Sequence, residues 1–370
     1  MKDLLARTLL AEVTGLRVDQ LEVVTNKLQA LASLKYDDYE GYSPAVKFFE
    51  SLATWLSGLA PADRKVALDF ILDRLTYVSS TELDHLVSTV YPDILRPMFL
   101  EATASELGLP RWAVAHLASS QAFRSVQRKT LILGMSDGAR LDKLRRFSPL
   151  STEQFHLVSQ LDPGKVKSML SSLREALPGD PNADTAQFER VIVVDDFSAS
   201  GSSMLREEDG VLTGKLEKIR VHVEKLKGDL IAQNATVTVL IYLMTSKAHT
   251  QLSAELAESG FLEMGFSLSY AHKFGESLPL SPSADGPFWD LCMKYFQPGW
   301  ANKHTEKGGR FEHGYAQCAL PLVMHHNTPN NAPPMLWKDD AGSPFSVEAP
   351  AAKPWYGVFP RHERHHPDRP

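Results

Sequence analysis

A chain of 370 residues with 43% hydrophobic and 23% charged side chains has the make-up of a soluble globular protein, long enough for two or three domains. Its formal charge of −6 excludes a global attraction to nucleic acid or to an anionic membrane, so any anion site has to be built locally. With only Cys292 and Cys318, spaced far apart, a disulfide framework and a zinc knuckle are excluded too, and a reducing cytoplasm fits both as buried small hydrophobes.

The opening MKDLLARTLLAEVTGLRVDQ breaks its leucines with Asp3, Arg7 and Glu12, so it reads as an amphipathic helix and not as a signal peptide or membrane span. Up to about residue 118 the periodicity stays helical, with Leu21, Val24, Leu28 and Leu31 on one stripe and Val46, Phe49, Ala53 and Leu56 on another. No strand is expected there, and residues 1–118 are taken as one helical N-terminal region. Ser79 and Glu82 form a capping box for a helix through Val87 and Val90, which Pro92 is expected to close.

Thr130 to Leu133 is a short apolar run that reads as a buried strand, followed by Gly134 and the polar loop Met135 to Arg140. A helical stretch over about 152–176 leads to a turn cluster after Pro178, and then Val191 to Val194 gives the strongest strand signal in the chain. Lys215, Leu216, Ile219, Val223 and Leu226 mark a helix, Thr236 to Met244 a third strand, and Lys247 to Ser259 a helix stopped by Gly260. Strands alternating with helices predict an α/β fold with a mainly parallel sheet over residues 119–275. A Pro-, Trp- and His-rich extension follows over 276–361, with a strand-like piece at Ala319 to Met324, and then a polar tail over 362–370. His362, His365 and His366 lie in that tail and are read as solvated side chains in preference to metal ligands.

The strand at 191–194 ends in Asp195-Asp196-Phe197-Ser198-Ala199-Ser200-Gly201-Ser202-Ser203, after which the chain is expected to return to helix. In an open parallel sheet, ligands bind beyond the carboxyl ends of the strands, where this loop sits. Gly201 and its small neighbours let backbone N–H groups converge on an oxyanion, and the serine hydroxyls add donors. Asp195 and Asp196 suit vicinal sugar hydroxyls or a magnesium-linked ligand. Phosphate plus ribose is therefore the expected joint ligand. About 60 residues upstream, Ser136, Asp137, Gly138 and Arg140 form a second loop after an earlier strand, with Arg140 able to pair phosphate oxygens bidentately and Lys143, Arg145 and Arg146 adding local positive charge. A Walker B reading of the paired acids needs a Walker A partner, and Gly210 to Leu216 has the wrong spacing and no Ser or Thr after Lys215.

Four hydrophobics followed by D-D-x-x-x-[ST]-G-x-[ST] resembles the phosphoribosyl pyrophosphate (PRPP) loop of type I phosphoribosyltransferases. That resemblance implies a sheet of the same fold, with Asp195 and Asp196 on the ribose hydroxyls and Ser198, Ala199, Ser200, Gly201, Ser202 and Ser203 on the 5′-phosphate. It also implies Mg²⁺ carried by PRPP, pyrophosphate on the Gly134 to Arg140 loop, and a lid over 150–180 with Lys165 and Lys167 as helpers. GMSDGARLDKLRR, DDFSASGSS, HHNTPNNAPPMLW and WYGVFPR together resemble the prokaryotic PRTase-CE family over roughly residues 75–361. This implies an effector in biological-conflict loci, in antiviral-defence or RNA-repair settings. The extension carrying Asn327 to Asn331 and Trp337 is expected to cover the sheet or shape an acceptor pocket. Two alternatives stand beside a transferase: a non-catalytic PRPP or nucleotide sensor, and a scaffold whose N-terminal helices bind a defence protein or an RNA. No membrane partner is expected.

Overall fold

The computed structural model describes residues 3–15, 18–43, 46–158, 163–180, 182–301, 305, 308–339 and 354–361. Among them run nine strands: β1 (Thr76–Val78), β2 (Thr130–Gly134), β3 (Phe155–Leu157), β4 (Phe188–Ser198), β5 (Arg206–Glu208), β6 (Val211–Thr213), β7 (Ile231–Thr245), β8 (Phe266–Phe274) and β9 (Leu322–Met324). The chain divides into two compact units, one of residues 1–82 with 277–370 and one of residues 83–276. The helical stretch expected as one region over 1–118 therefore contributes to both units. No helix among the described residues is long and apolar enough to cross a membrane.

The continuous unit holds an α/β sheet of five parallel strands in the order β3-β2-β4-β7-β8. β4 is central, with partners on both sides, and Val191, Ile192, Val193 and Val194 are buried on both of its faces. Such near-continuous β-branched runs are what a parallel strand covered on two faces requires. The chain steps from β2 outward to β3, then returns to β4 and proceeds the other way through β7 and β8. The strand order thus reverses between β2 and β4, and in doubly wound sheets the crevice beyond the carboxyl ends at that point is where ligands bind.

Several local expectations change. The stretch 152–176 is not one helix: a single 3₁₀ turn at Thr152–Gln154 leads into β3, and the helix proper is Pro163–Glu175. β8 and the three-residue β1 carry no clear sequence signal. The capping box forms as expected, with the Ser79 N–H donating to Glu82 and the Glu82 N–H donating to Ser79 Oγ. Pro92, however, does not close the helix Ser80–Val90. A π-helical turn, Tyr91–Leu95, carries the chain into the helix Arg96–Leu107, with the Arg96 N–H donating to the Tyr91 carbonyl. The loop after β4 does not return directly to helix either. The β5–β6 hairpin intervenes, turning on Asp209 and Gly210, both with positive φ as a tight two-residue turn demands.

The discontinuous unit is closed by its two ends. β1 and β9 pair in parallel, Phe70 stacks on Phe288 with centroids 3.6 Å apart, and Arg74 bonds the buried Asp285 carboxylate at 2.6 Å. The residues that resemble the family signature lie inside this core. Thr328 Oγ1 meets the Tyr39 hydroxyl at 3.0 Å, Asn331 Nδ2 donates to the Tyr315 carbonyl at 3.1 Å, and Trp337 Nε1 donates to the Ala332 carbonyl. Their observed partners all belong to this unit. Within the discontinuous unit the signature therefore joins segments far apart in sequence.

Candidate functional site

Two loops meet at the switch point. The Met135 N–H donates to the Val194 carbonyl at 2.9 Å, which extends the β2–β4 ladder by one residue and delivers Ser136 beside Asp195. Ser136 Oγ donates to Asp195 Oδ1 at 2.8 Å, so the two loops named from the sequence are joined directly. Gly138 faces the second carboxylate: a Cβ there would lie 2.8 Å from Asp196 Oδ2. The missing side chain lets the upstream loop close on Asp196. The side chain of Asp137 lies outside the described residues.

Asp195 is fully buried and its other carboxylate oxygen pairs with Lys215 Nζ. Burial pushes the Asp195 carboxyl above the usual carboxylate range and neighbouring Asp196 adds to this, while Lys215 and the Ser136 hydrogen bond pull it back. The pair is local and asymmetric, since Lys215 keeps 37% of its side chain exposed. Lys215 was legible only as a helix marker. The signal for more was Gly214 before it: at φ 118° a Cβ would come within 2.6 Å of the Met204 carbonyl oxygen, so only glycine lets the helix start press against the loop.

The loop itself is held from behind. Thr245 Oγ1 donates to the Ala199 carbonyl, the Met204 N–H to Gly201 O at 2.9 Å, and the Lys215 N–H to Ser203 O at 3.1 Å. Gly201 takes φ 84°, the left-handed region a tight anion-cradling turn uses. Ser200 and Ser202 share a 2.8 Å hydroxyl contact, and Arg206 of the hairpin donates to the Ser202 carbonyl at 2.9 Å. Ser198 Oγ is buried with no hydrogen-bond partner among the described residues, an unsatisfied donor within the expected ligand loop.

Arg140, expected on phosphate oxygens, has a carboxylate partner in this structure. It sits in the left-handed region at φ 45° and its guanidinium pairs with Asp84, which also takes Lys143 at 2.6 Å. Burial works to raise the Asp84 carboxyl, but Lys143 and Arg140 together hold it below its ordinary range. Tyr242 on β7, fully buried, braces the same loop by donating to the Ala139 carbonyl at 2.8 Å. Arg140 thus helps tie the loop to the helix Ser80–Val90. Asp84 and Tyr242 were not singled out from sequence, since neither stands near a motif.

The carboxylates of Asp195 and Asp196 and the serine hydroxyls of the loop form a hard, oxygen-rich donor set of the kind Mg²⁺ takes. Among the described residues no group of three or more His, Cys, Asp or Glu is placed to hold a metal ion. Comparison with protein families matches residues 52–361 to PRTase-CE. The chain belongs to the PRTase-CE family. It is a phosphoribosyltransferase-like protein, and the match reaches from the helices of the discontinuous unit through the sheet to the C-terminal signature. No curated protein and no solved structure matches the chain.

Proposed function

We propose that this PRTase-CE protein binds Mg²⁺-PRPP at the β2–β4 switch point and transfers its phosphoribosyl group to a nucleophile with release of pyrophosphate. The observation that carries the reading is the junction itself: two adjacent carboxylates at the end of the central strand, one hydrogen-bonded to Ser136 of the other loop. Asp195 and Asp196 accept from the ribose hydroxyls, and the amides and hydroxyls of Ser198 to Ser203 hold the 5′-phosphate. Lys215 keeps Asp195 ionised and oriented. Bound magnesium supplies charge neutralisation to the diphosphate. The C1′–oxygen bond to pyrophosphate breaks, a bond from C1′ to the acceptor nitrogen or oxygen forms, and the acceptor proton passes to solvent or a base. The protein's contribution is positioning and charge stabilisation of an oxocarbenium-like transition state. Within the cytoplasm of a prokaryote, such a transferase would act as an effector of antiviral defence on a nucleotide or nucleic-acid acceptor, with the N-terminal helices offered to a protein or RNA partner.

Titrating PRPP with Mg²⁺ into wild type and Asp195→Asn/Asp196→Asn tests this by calorimetry, with released pyrophosphate assayed in the same samples. Saturable binding lost in the double variant is expected, and pyrophosphate release separates a transferase from a sensor. A folded wild type that binds no PRPP sinks the reading. A subtler change probes the same junction. Gly138→Ala sets a methyl against Asp196 without straining the backbone, and is expected to weaken PRPP by about tenfold, or roughly 1.4 kcal/mol, at an unchanged unfolding temperature.

A further inference from the structure

The two edges of the five-stranded sheet differ. At one end β3 is three residues long, whereas β8 at the other runs for nine, in constant register with β7 from Val237↔Phe266 to Thr245↔Phe274. Soluble proteins blunt an open strand edge by shortening it, by a bulge, by proline or by covering it. β8 has no proline and no break in register, and among the described residues β7 is its only strand partner.

The Val237 N–H donates to the Gly265 carbonyl at 2.9 Å, which sets the alternation of the ladder. Ser267, Ser269, Ala271 and Lys273 turn their backbone groups to β7, so Leu268, Tyr270 and His272 turn theirs outward. Among the described residues none of these outward N–H groups donates to an acceptor. Together they form a row of donors and acceptors that one more strand would satisfy.

The pattern of β8 itself selects that strand. Phe266-Ser267-Leu268-Ser269-Tyr270-Ala271-His272-Lys273-Phe274 is nearly symmetrical about Tyr270, with phenylalanine at both ends and a small residue on either side of the tyrosine. A second β8 laid antiparallel and centred on Tyr270 sets outward residues against outward residues, Tyr270 opposite itself and Leu268 opposite His272. Each such pair exchanges both backbone hydrogen bonds, as a self-complementary two-fold interface requires. Phe266 then faces Phe274, an aromatic cross-strand pair of the kind that stabilises antiparallel ladders. Charge agrees as well. Lys273, the one fixed charge on the strand, falls opposite Ser267, which keeps the lysines of the two copies roughly 20 Å apart. We infer that β8 is the seam of a two-fold dimer, in which antiparallel β8–β8 pairing joins the sheets of two copies of this chain. The inference stands independently of the PRPP reading.

Analytical ultracentrifugation of the full chain is expected to show a dimer of the 41.1 kDa protomer. His272→Pro removes one outward donor at an exposed position, and an edge strand tolerates proline where the missing N–H faces away from its neighbour. This variant is expected to sediment as a monomer with an unchanged circular dichroism spectrum. Tyr270→Cys reads the register, because directly opposed residues of this type lie about 5.5 Å apart between Cα atoms, within disulfide reach, while Cys292 and Cys318 are buried. Mild oxidation should link two Tyr270→Cys chains and leave Leu268→Cys chains unlinked. A wild type that stays monomeric at every concentration leaves the edge to a strand of another protein and overturns the inference. A folded His272→Pro that still dimerises, or a Tyr270→Cys dimer that does not cross-link, overturns it equally.

Discussion

Replacing Phe359 by alanine is expected to cost the discontinuous unit about 3–5 kcal/mol, the range for emptying a large aromatic position in a packed core. Phe359 is fully buried, and its ring lies within 6 Å, centroid to centroid, of Tyr36, Tyr39, Tyr42, Phe48 and Tyr77. Its backbone is fixed as well, the N–H donating to the Leu336 carbonyl at 2.8 Å and the carbonyl accepting from Thr328 Oγ1 at 3.0 Å. The whole unit should loosen, because the ring joins segments from both ends of the chain. Amide hydrogen exchange is the measurement. Faster exchange is expected together in the helix Phe48–Ser57, β1 and β9, while a change confined to residues 354–361 would show that Phe359 anchors only its own segment.

Lys215→Met is expected to destabilise the sheet-bearing unit by about 2–3 kcal/mol. Removing one partner of a fully buried pair costs about 3–5 kcal/mol, and the lower figure applies because Lys215 is 37% exposed while Asp195 is not exposed at all. At roughly 2–4 °C per kcal/mol for a unit of this size, the transition should fall by about 4–12 °C near neutral pH. The pH dependence has a definite sign. Burial already raises the folded Asp195 carboxyl above its unfolded value, and the loss of Lys215 raises it further. A carboxyl raised in the native state takes up its proton more readily when folded, so the defect should vanish below the unfolded value of about 3.9 and grow as pH rises through the native one. Adding Asp195→Asn should recover most of the loss at pH 7. Equal defects in the single and double variants would mean that Lys215 acts through packing alone.

The parts legible in the sequence are those whose cause is local. β4 shows itself because four β-branched residues must be buried on two faces, and the carboxylate pair with its glycine loop follows at once. Tyr270, His272 and Lys273 interrupt β8 with half-buried and exposed polar positions, the look of a strand at a sheet edge, which composition does not separate from a loop. β3 is three residues long inside a helical periodicity, and β1 exists because β9, some 240 residues later, pairs with it. The site divides in the same way. Asp195 and Asp196 are marked by their own neighbours, whereas the partner that holds Arg140 lies 56 positions away and Lys215 acts across an inserted hairpin.

The split course of the discontinuous unit has a consequence for synthesis. The Tyr39 hydroxyl donates to the Pro360 carbonyl across 321 positions, and the residues between include every strand of the five-stranded sheet. During translation, residues 83–276 emerge complete while the first 82 still lack their closing partners. The sheet-bearing unit can therefore acquire its fold on the ribosome first, with Tyr36, Phe48 and Trp55 awaiting core partners such as Trp337 and Phe359. A nascent chain arrested before Phe359 would carry a finished ligand loop and an open aromatic core, a natural target for chaperones.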